Sequence, residues 1–214
     1  MSNSSSFNIF IKVVTHPVFI ICWLSLIVVS YFFFDEKIAI FLHTSLNQRI
    51  YQAAGDITVL GLGGYYIIAF GLLFVIGKFI LKRSQFAYKS LYLFANVLVS
   101  GGLCDLIKFL CGRARPELLF NQHLYGFYFF KTHYAFISFP SGHATTINAI
   151  MLGLSFIKPR FWLLFMTIAL LVTLSRVFLT AHYLSDVMTG AFLGFGVAIF
   201  MCHVFKYYHL VDEF

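Results

Sequence analysis

Long apolar stretches separated by short polar ones dominate this sequence of 214 residues. Stretches of about 20 apolar residues are typical of helices that cross the hydrocarbon core of a bilayer. The expected bounds of such spans are 18–34, 57–81, 90–110, 143–157, 161–179 and 187–205. We therefore predict an all-α polytopic membrane protein with six transmembrane helices, in which residues 1–214 form a single domain.

The segments outside the spans differ in kind. Residues 1–16 and 206–214 are expected to be short tails. Residues 35–37, Asp-Glu-Lys, are expected to end the first span at the membrane surface, and the apolar positions within 38–51 recur at helical spacing, so this segment could lie along the interface. The loop 112–139 is rich in aromatic residues, which predict either an interfacial belt or a wall beside a lipid's access path.

Composition supports a membrane protein, because 60% of the residues are hydrophobic and only 11% are charged. The net charge is +7, but the basic residues are scattered and form no stripe, which argues against nucleic-acid binding. The cysteines lie in apolar runs and are expected to be helix residues rather than disulfide partners or metal ligands; they are Cys22, Cys104, Cys111 and Cys202. The glycines of the second span should allow close helix approach; they are Gly61, Gly63, Gly64 and Gly71.

Three polar clusters interrupt the apolar sequence in its second half. They are Lys108, Arg113, Arg115 and Pro116; then Pro140, Ser141, Gly142 and His143; then Ser175, Arg176, His182 and Asp186. Arginine forks match phosphate oxygens and lysine adds a compact charge. A histidine with an aspartate four residues later places both on one helical face, where the carboxylate can orient the imidazole. The clusters therefore predict a phosphate-binding site.

The spacing of these clusters resembles the tripartite signature of the type 2 phosphatidic acid phosphatase family, which includes membrane lipid phosphatases, glucose-6-phosphatase and soluble vanadium haloperoxidases. The signature blocks are 108–116, 140–143 and 175–186, and every signature position is filled in the right order. The resemblance directly covers about half of the chain.

The resemblance implies a lipid phosphatase that needs no metal and no cofactor. It assigns His182 as the nucleophile that forms a phosphohistidine, Asp186 as the residue that holds its tautomer, and His143 as the acid for the leaving group. The residues expected to bind the phosphate are Lys108, Arg115, Ser141, Gly142 and Arg176. The expectation for Ser141 and Gly142 also rests on the main-chain N–H groups at the start of a helix, which bind phosphate well.

Several neighbouring residues have two readings. Arg113 is either an outer phosphate contact or a surface arginine. Asp105 could pair with Lys108 or contact a head group. Asp56 and Thr58, near the outer end of the second span, could face the substrate.

Charge asymmetry predicts the orientation. Six spans place both termini on one side, and basic residues outside the clusters number eight on that side and three on the other. The eight are Lys12, Lys78, Lys82, Arg83, Lys89, Lys158, Arg160 and Lys206, and the three are Lys37, Arg49 and Lys131. Cytoplasmic termini are therefore expected, with the active site facing the periplasm or exterior of a bacterial inner membrane.

The substrate and the oligomeric state stay open at this point. Candidate lipids that the resemblance implies are undecaprenyl diphosphate, phosphatidylglycerophosphate, phosphatidic acid and lipid A phosphates. A phosphotransferase would differ only in the acceptor. A transporter of phosphate or phospholipid is the alternative of another class, but its site should lie near the bilayer midplane rather than at one interface.

Overall fold

The computed structural model of the protein describes residues 3–211, and the regular structure in this range is helical. The α-helices are α1 (Asn3–Val14), α2 (Pro17–Val29), α3 (Asp35–Ser45), α4 (Gln48–Thr58), α5 (Gly63–Val75), α6 (Ser84–Cys111), α7 (Pro116–Gln122), α8 (Gly142–Ile157), α9 (Trp162–Phe178) and α10 (Leu184–Tyr207). Turns of π-helix lie at Ser30–Phe34 and Ile76–Ile80, and 3-10 turns lie at Val59–Gly61, Tyr134–Phe136 and Pro159–Phe161. The predicted all-α class is confirmed.

Five helical stretches among the described residues are long and apolar enough to cross a membrane. They are Pro17–Ser45, Gln48–Ile80, Ser84–Cys111, Pro159–Phe178 and Leu184–Tyr207. These stretches match five of the predicted spans, as expected for a multi-pass membrane protein. The span expected at 143–157 corresponds to α8, which has only 16 residues. A sixth crossing therefore stays a prediction.

The first membrane helix does not end where the sequence suggested. A turn of π-helix joins α2 to α3, so one helix of 29 residues runs over Pro17–Ser45. The helix thus continues past the end expected at Asp35, whose side chain is 1% exposed and forms an ion pair with Arg113 inside the protein. The location of residues 35–37 at the membrane surface stays a prediction. The interfacial location of residues 38–51 stays a prediction.

The N-terminal segment, expected to be a tail, forms α1. Phe7 in this helix is buried, and its ring lies 5.4 Å from that of Phe156 and 6.2 Å from that of Trp162. Contacts between aromatic rings thus hold α1 against the ends of α8 and α9. Residues 1–2 and 212–214 of the expected tails lie outside the described residues.

Helix α8 lies at the centre of the bundle, since 12 of its 16 residues are buried. It packs against α6, α9 and α10. Two glycines of α10 permit the close approach of α10 to α8. A Cβ on Gly190 would lie 2.6 Å from the carbonyl oxygen of Ser141, and a Cβ on Gly194 would overlap the carbonyl oxygen of Thr145. This contact places the start of α8 beside the first turns of α10, where two of the polar clusters meet.

Candidate active site

Three loops bring the polar clusters together. Residues 112–115 follow α6, residues 137–141 precede α8, and residues 179–183 join α9 to α10. Main-chain hydrogen bonds hold them together: the Ser138 N–H donates to the Arg113 carbonyl (3.0 Å), and the Ser141 N–H donates to the carbonyl of Asp186 (3.1 Å) in the first turn of α10. The three signature blocks therefore form one site, although apolar helices separate them in the sequence.

Gly112 sets the direction of the first loop. It ends α6 with a φ of +57°, a left-handed conformation that glycine adopts without steric cost. A Cβ at this position would also lie 2.9 Å from the main-chain nitrogen of Phe129. The close approach of the two backbones allows Arg113 to turn into the protein directly after the helix.

His182 is buried, and its tautomer follows from its contacts. Its Nδ1 atom lies 2.8 Å from the carbonyl oxygen of Ser138. A carbonyl oxygen only accepts hydrogen bonds, so Nδ1 carries the proton and Nε2 keeps a free lone pair. The Oδ2 atom of Asp186 lies 3.7 Å from the same Nδ1. The main chain is thus the nearer partner of the imidazole.

His182 and Asp186 meet in a different way from the one expected. Helix α10 begins only at Leu184, so His182 precedes the helix and the two residues do not share a helical face. Asp186 occupies the third position of the helix, and its Oδ2 atom accepts a hydrogen bond from the Tyr183 N–H across 3.0 Å. A capping turn, rather than helical periodicity, brings the carboxylate towards the imidazole.

The surroundings of His182 favour the neutral imidazole. Burial lowers its pKa below the usual range. Asp186 opposes this shift, whereas the nearby charges of Arg115 and Lys108 add to it. A neutral imidazole with a free Nε2 lone pair is the form that can act as a nucleophile.

Three buried cations of the signature have only neutral partners among the described residues. Lys108 Nζ donates to the Ile137 carbonyl (2.8 Å), and Arg115 donates to the carbonyls of Tyr134 (2.9 Å) and Ala181 (3.0 Å). Arg176 Nη1 donates to the Thr58 hydroxyl across 2.8 Å.

Lys108 is 8% exposed, Arg115 is 6% exposed and Arg176 is 9% exposed. No ion pair among residues 3–211 includes these cations. The Nε atom of Arg176 is also buried without a partner there. Buried charges are normally compensated. The site is therefore suited to an anion with several negatively charged oxygens.

The second cluster lies at the start of α8. Ser141 is the N-cap, and its hydroxyl accepts from the Ala144 N–H at 3.5 Å. A Cβ on Gly142 would lie 3.8 Å from the Lys108 side chain, so this turn adjoins the cations. The phosphate-binding roles of Ser141 and Gly142 stay predictions.

His143 is half-buried in the first turn of α8, beside Gly61. A Cβ on Gly61 would lie 2.8 Å from His143 Cδ2, so the close approach expected of this glycine is confirmed. Gly64 has nothing within 4 Å of its would-be Cβ, and the same expectation is wrong there.

Both readings of Arg113 are wrong. Its side chain is fully buried and forms ion pairs with Asp35 (2.8 Å) and Asp186 (2.5 Å). Burial by itself lowers the pKa of Arg113, but the two carboxylates more than offset this and raise it above the usual range. Arg113 therefore contacts neither solvent nor an outer phosphate; it links Asp186 to the first membrane helix.

The aromatic loop contributes to this arrangement. Four rings surround the guanidinium carbon of Arg113 at 4.4–5.4 Å, within the range of cation–π contact. They belong to Tyr31, Tyr125, Phe127 and Tyr183. Phe129, Phe130 and Tyr134 of the same loop are exposed. Two loop aromatics thus point inward, which neither proposed reading of the loop included.

The sequence did not indicate that Asp35 and Ser138 belong to the site. It predicted that Thr58 could face the substrate, but it did not predict the contact of Thr58 with Arg176. An acidic residue after an apolar run was the available signal for Asp35, because a charge inside a membrane helix needs a partner.

Asp56 and Asp105 are exposed, and no ion pair joins Asp105 to Lys108 within the part of the chain that the structure describes.

An open cavity of about 330 Å³ adjoins Arg115. Its lining includes His43, Glu117, Phe120, Asn121 and Tyr134. The cavity offers hydrogen-bonding groups next to the cations, as a polar head group would need.

Fold and site together define a multi-pass membrane protein with a buried cluster of three cations and a histidine. The model of the PAP2 superfamily matches residues 89–209, and the chain belongs to this superfamily. The family predicted from the signature is confirmed.

Two curated relatives are lipid A 1-phosphatases. That of Rhizobium etli is 42% identical over 105 residues, which are 49% of this chain and 44% of the relative. That of Rhizobium johnstonii is 39% identical over 114 residues, which are 53% of this chain and 47% of the relative. The matched part thus spans less than half the length of these relatives.

Two solved structures share the fold. A PAP2-type phosphatidylglycerolphosphate phosphatase from Bacillus subtilis has a TM-score of 0.54 and 19% identity, with 97% of this chain and 98% of that chain covered. Aquifex aeolicus LpxE has a TM-score of 0.57 and 19% identity, with 82% of this chain and 98% of that chain covered.

Proposed function

We propose that the protein is a lipid phosphate phosphatase that works through a phosphohistidine at His182. The observation that carries this proposal is the buried imidazole with a free Nε2 lone pair beside three cations that have no carboxylate partner among residues 3–211. A phosphoryl group would compensate those charges and present its phosphorus to the nucleophile. The same cations would stabilise the charge that develops in the transition state.

The reaction would proceed in two steps. Nε2 of His182 attacks phosphorus, the bond from phosphorus to the lipid oxygen breaks, and His143 donates a proton to the departing oxygen. His143 then removes a proton from water, whose oxygen attacks the phosphohistidine and releases inorganic phosphate. Lys108, Arg115 and Arg176 hold the phosphoryl oxygens in both steps. Charge neutralisation by these side chains is the task that a metal ion performs in other phosphatases.

We favour lipid A 1-phosphate, or a similar phosphate on a sugar head group, as the substrate. The two relatives of about 40% identity support this choice. The cavity beside Arg115 also suits it, because Glu117, Asn121 and His43 can exchange hydrogen bonds with sugar hydroxyls. Phosphatidylglycerophosphate, phosphatidic acid and undecaprenyl diphosphate are the competing substrates, and transfer to a second lipid is the competing reaction.

The proposed topology has six spans, with α8 as the fourth. The termini are cytoplasmic and the site opens on the opposite face of a bacterial inner membrane. The eight-to-three distribution of basic residues supports this orientation. The many exposed apolar side chains of the long helices, such as Phe32, Ile68 and Phe200, suit contact with lipid.

The proposal is tested by phosphate release from a panel of these lipids by the purified protein in detergent with EDTA. His182→Ala removes the nucleophile, and His203→Ala is the matched control because His203 is an exposed histidine of α10. We expect metal-independent release that His203→Ala retains and His182→Ala abolishes, with the sugar-linked phosphate cleaved fastest.

Release that persists in His182→Ala would remove this residue as nucleophile. No release from any lipid would favour a transporter. Appearance of the phosphate on an added acceptor lipid would identify a phosphotransferase.

A further inference from the structure

Asp35 is buried in the first membrane helix, and both of its oxygens are fully used. Oδ2 accepts from Arg113 Nη2 at 2.8 Å and from the Ser185 hydroxyl. Oδ1 accepts from the Ser30 hydroxyl at 2.7 Å and from the Ser185 N–H at 3.0 Å. The carboxylate thus joins its own helix to two of the signature blocks.

The bonds to Ser185 cap α10. Ser185 is the second residue of this helix, and the first N–H groups of a helix have no partner within it. A carboxylate at a helix N-terminus is also favoured by the helix dipole. Asp35 therefore holds the first turn of α10 from outside, while Asp186 caps the Tyr183 N–H from within it.

The bond to Arg113 reaches Asp186 directly. The guanidinium donates from Nη2 to Asp35 and from Nη1 to Asp186, so one cation lies between two carboxylates. Nη1 also donates to the Ser185 hydroxyl at 2.7 Å, and Nη2 also donates to Tyr125 at 3.0 Å. Both terminal nitrogens of the guanidinium are therefore held by acceptors, whereas Nε is buried without a partner among the described residues.

These contacts end at the imidazole. Asp186 accepts from the Ser138 hydroxyl at 2.6 Å, and the Ser138 carbonyl accepts from His182 Nδ1. We propose that Asp35 is a positioning residue for His182, acting through Arg113 and Ser185 on Asp186 and the loop 179–183. The proposal rests on the function proposed above, and it assigns a role to a residue outside the family match at 89–209.

A merely structural role would predict something else. If Asp35 only compensated the buried charge of Arg113, its loss would lower stability without changing the geometry of the imidazole. A positioning role predicts slower chemistry in the protein that remains folded, because displacement of a reacting group by about 1 Å can cost about 100-fold in rate. Substrate affinity should change little, since Asp35 does not reach the cations that bind phosphate.

The test compares Asp35→Asn with Glu36→Gln, which removes the neighbouring, exposed carboxylate. We expect Asp35→Asn to lower kcat by about 10- to 100-fold with KM changed less than about threefold. Glu36→Gln should keep the wild-type values. If Asp35→Asn keeps the wild-type kcat, or if KM rises in proportion while kcat holds, the positioning role is wrong.

A second readout does not depend on turnover. Nitrogen-15 NMR of labelled histidine, with His182→Ala to identify the signal among the 8 histidines, reports which ring nitrogen carries the proton. We expect the Nδ1–H form in the wild type and a mixture of forms in Asp35→Asn. An unchanged spectrum in Asp35→Asn would contradict the proposal even if the wild type releases no phosphate, and absent release in the wild type would count against the proposed function alone.

If Asp35→Asn does not fold, a milder variant tests the same proposal. Ser185→Ala removes the hydroxyl that donates to Asp35 and accepts from Arg113, but it keeps the capped N–H. We expect a smaller loss of kcat in the same direction, again without a matching change in KM. Wild-type kcat and an unchanged histidine spectrum in folded Ser185→Ala would overturn the proposal.

Discussion

His182 donates its Nδ1 proton to the main-chain carbonyl of Ser138 across 2.8 Å, and the Ser138 side chain donates to Asp186 across 2.6 Å. One residue therefore serves both members of the histidine–aspartate pair. Because the carbonyl belongs to the main chain, no substitution of the Ser138 side chain removes the group that selects the tautomer. The effects of the carbonyl and of the hydroxyl can thus be separated by mutation.

Ser138→Ala should weaken the protein more than it slows the reaction. The buried Asp186 carboxylate loses one charge-assisted hydrogen bond, which costs about 1.5–3 kcal/mol of unfolding free energy. The carbonyl remains, so kcat should fall by less than about tenfold. Denaturation in detergent and steady-state kinetics measure the two effects. Ser155→Ala is the control, because the hydrogen bond of its buried hydroxyl among the described residues lies within α8. A loss of kcat greater than about tenfold in Ser138→Ala would assign the selection of the tautomer to the Ser138 hydroxyl.

The stability of the protein should decline in acid partly because of His182. Its pKa is lowered in the folded protein, mainly by burial, so below its ordinary pKa of about 6.5 the unfolded chain binds a proton that the folded chain does not. The free energy of unfolding therefore falls as the pH drops below this value, by up to about 1.4 kcal/mol per pH unit.

The change in melting temperature between about pH 7 and pH 5 checks this expectation. His182→Asn should flatten the dependence, because asparagine does not titrate in this range. A wild-type protein whose stability rises in acid, or a variant with the same dependence, would contradict it.

Thr58→Val should impair substrate binding. The Thr58 hydroxyl accepts from Arg176 Nη1 at 2.8 Å and so fixes one of the cations proposed to bind phosphate. Loss of about 1 kcal/mol of such support corresponds to roughly a fivefold rise in KM. Thr44→Val is the control, since the hydrogen bonds of the exposed Thr44 hydroxyl to described residues all lie within α3. Equal KM values for both variants would show that Arg176 needs no such support.

Gly61→Ala should displace His143. The added Cβ would lie 2.8 Å and 2.9 Å from two carbons of the His143 side chain and 3.0 Å from Val172. The imidazole must shift, and we expect kcat to fall by about 100-fold if the shift approaches 1 Å. Gly64→Ala adds the same group where nothing lies within 4 Å, and it should keep wild-type kinetics. Normal activity of Gly61→Ala would separate His143 from proton transfer.

Gly194→Ala should destabilise the bundle. Its Cβ would overlap the carbonyl oxygen of Thr145 and would lie 2.9 Å from the nitrogen of Ala149, and neither main-chain atom can move alone. Forcing a methyl group into such a contact costs about 1–3 kcal/mol. Gly196→Ala, with open space around its Cβ, should melt like the wild type. Equal melting temperatures of the two variants would indicate that α8 and α10 separate easily.

The sequence predicted the three signature blocks because each consists of polar residues at fixed spacing within apolar surroundings. It could not predict the network of Asp35, Arg113 and Ser185, whose members lie 72 to 150 positions apart and follow no local period. For the same reason Asp35 looked like the end of a span, because nothing in its flanking sequence indicates that it pairs with Arg113 inside the protein.

Hydropathy also located the membrane helices, and the short span that it predicted at 143–157 agrees closely with α8. With 16 residues this helix rises about 24 Å, less than the hydrocarbon core of about 30 Å. In the proposed topology α8 is therefore too short to reach both surfaces of the core, and its first residues, Gly142 and His143, would lie at or just below the depth of the lipid head groups. A phosphate could be cleaved there without leaving the bilayer. The thickness and packing of the surrounding lipids, rather than diffusion through water, would then govern how often a substrate reaches the histidines.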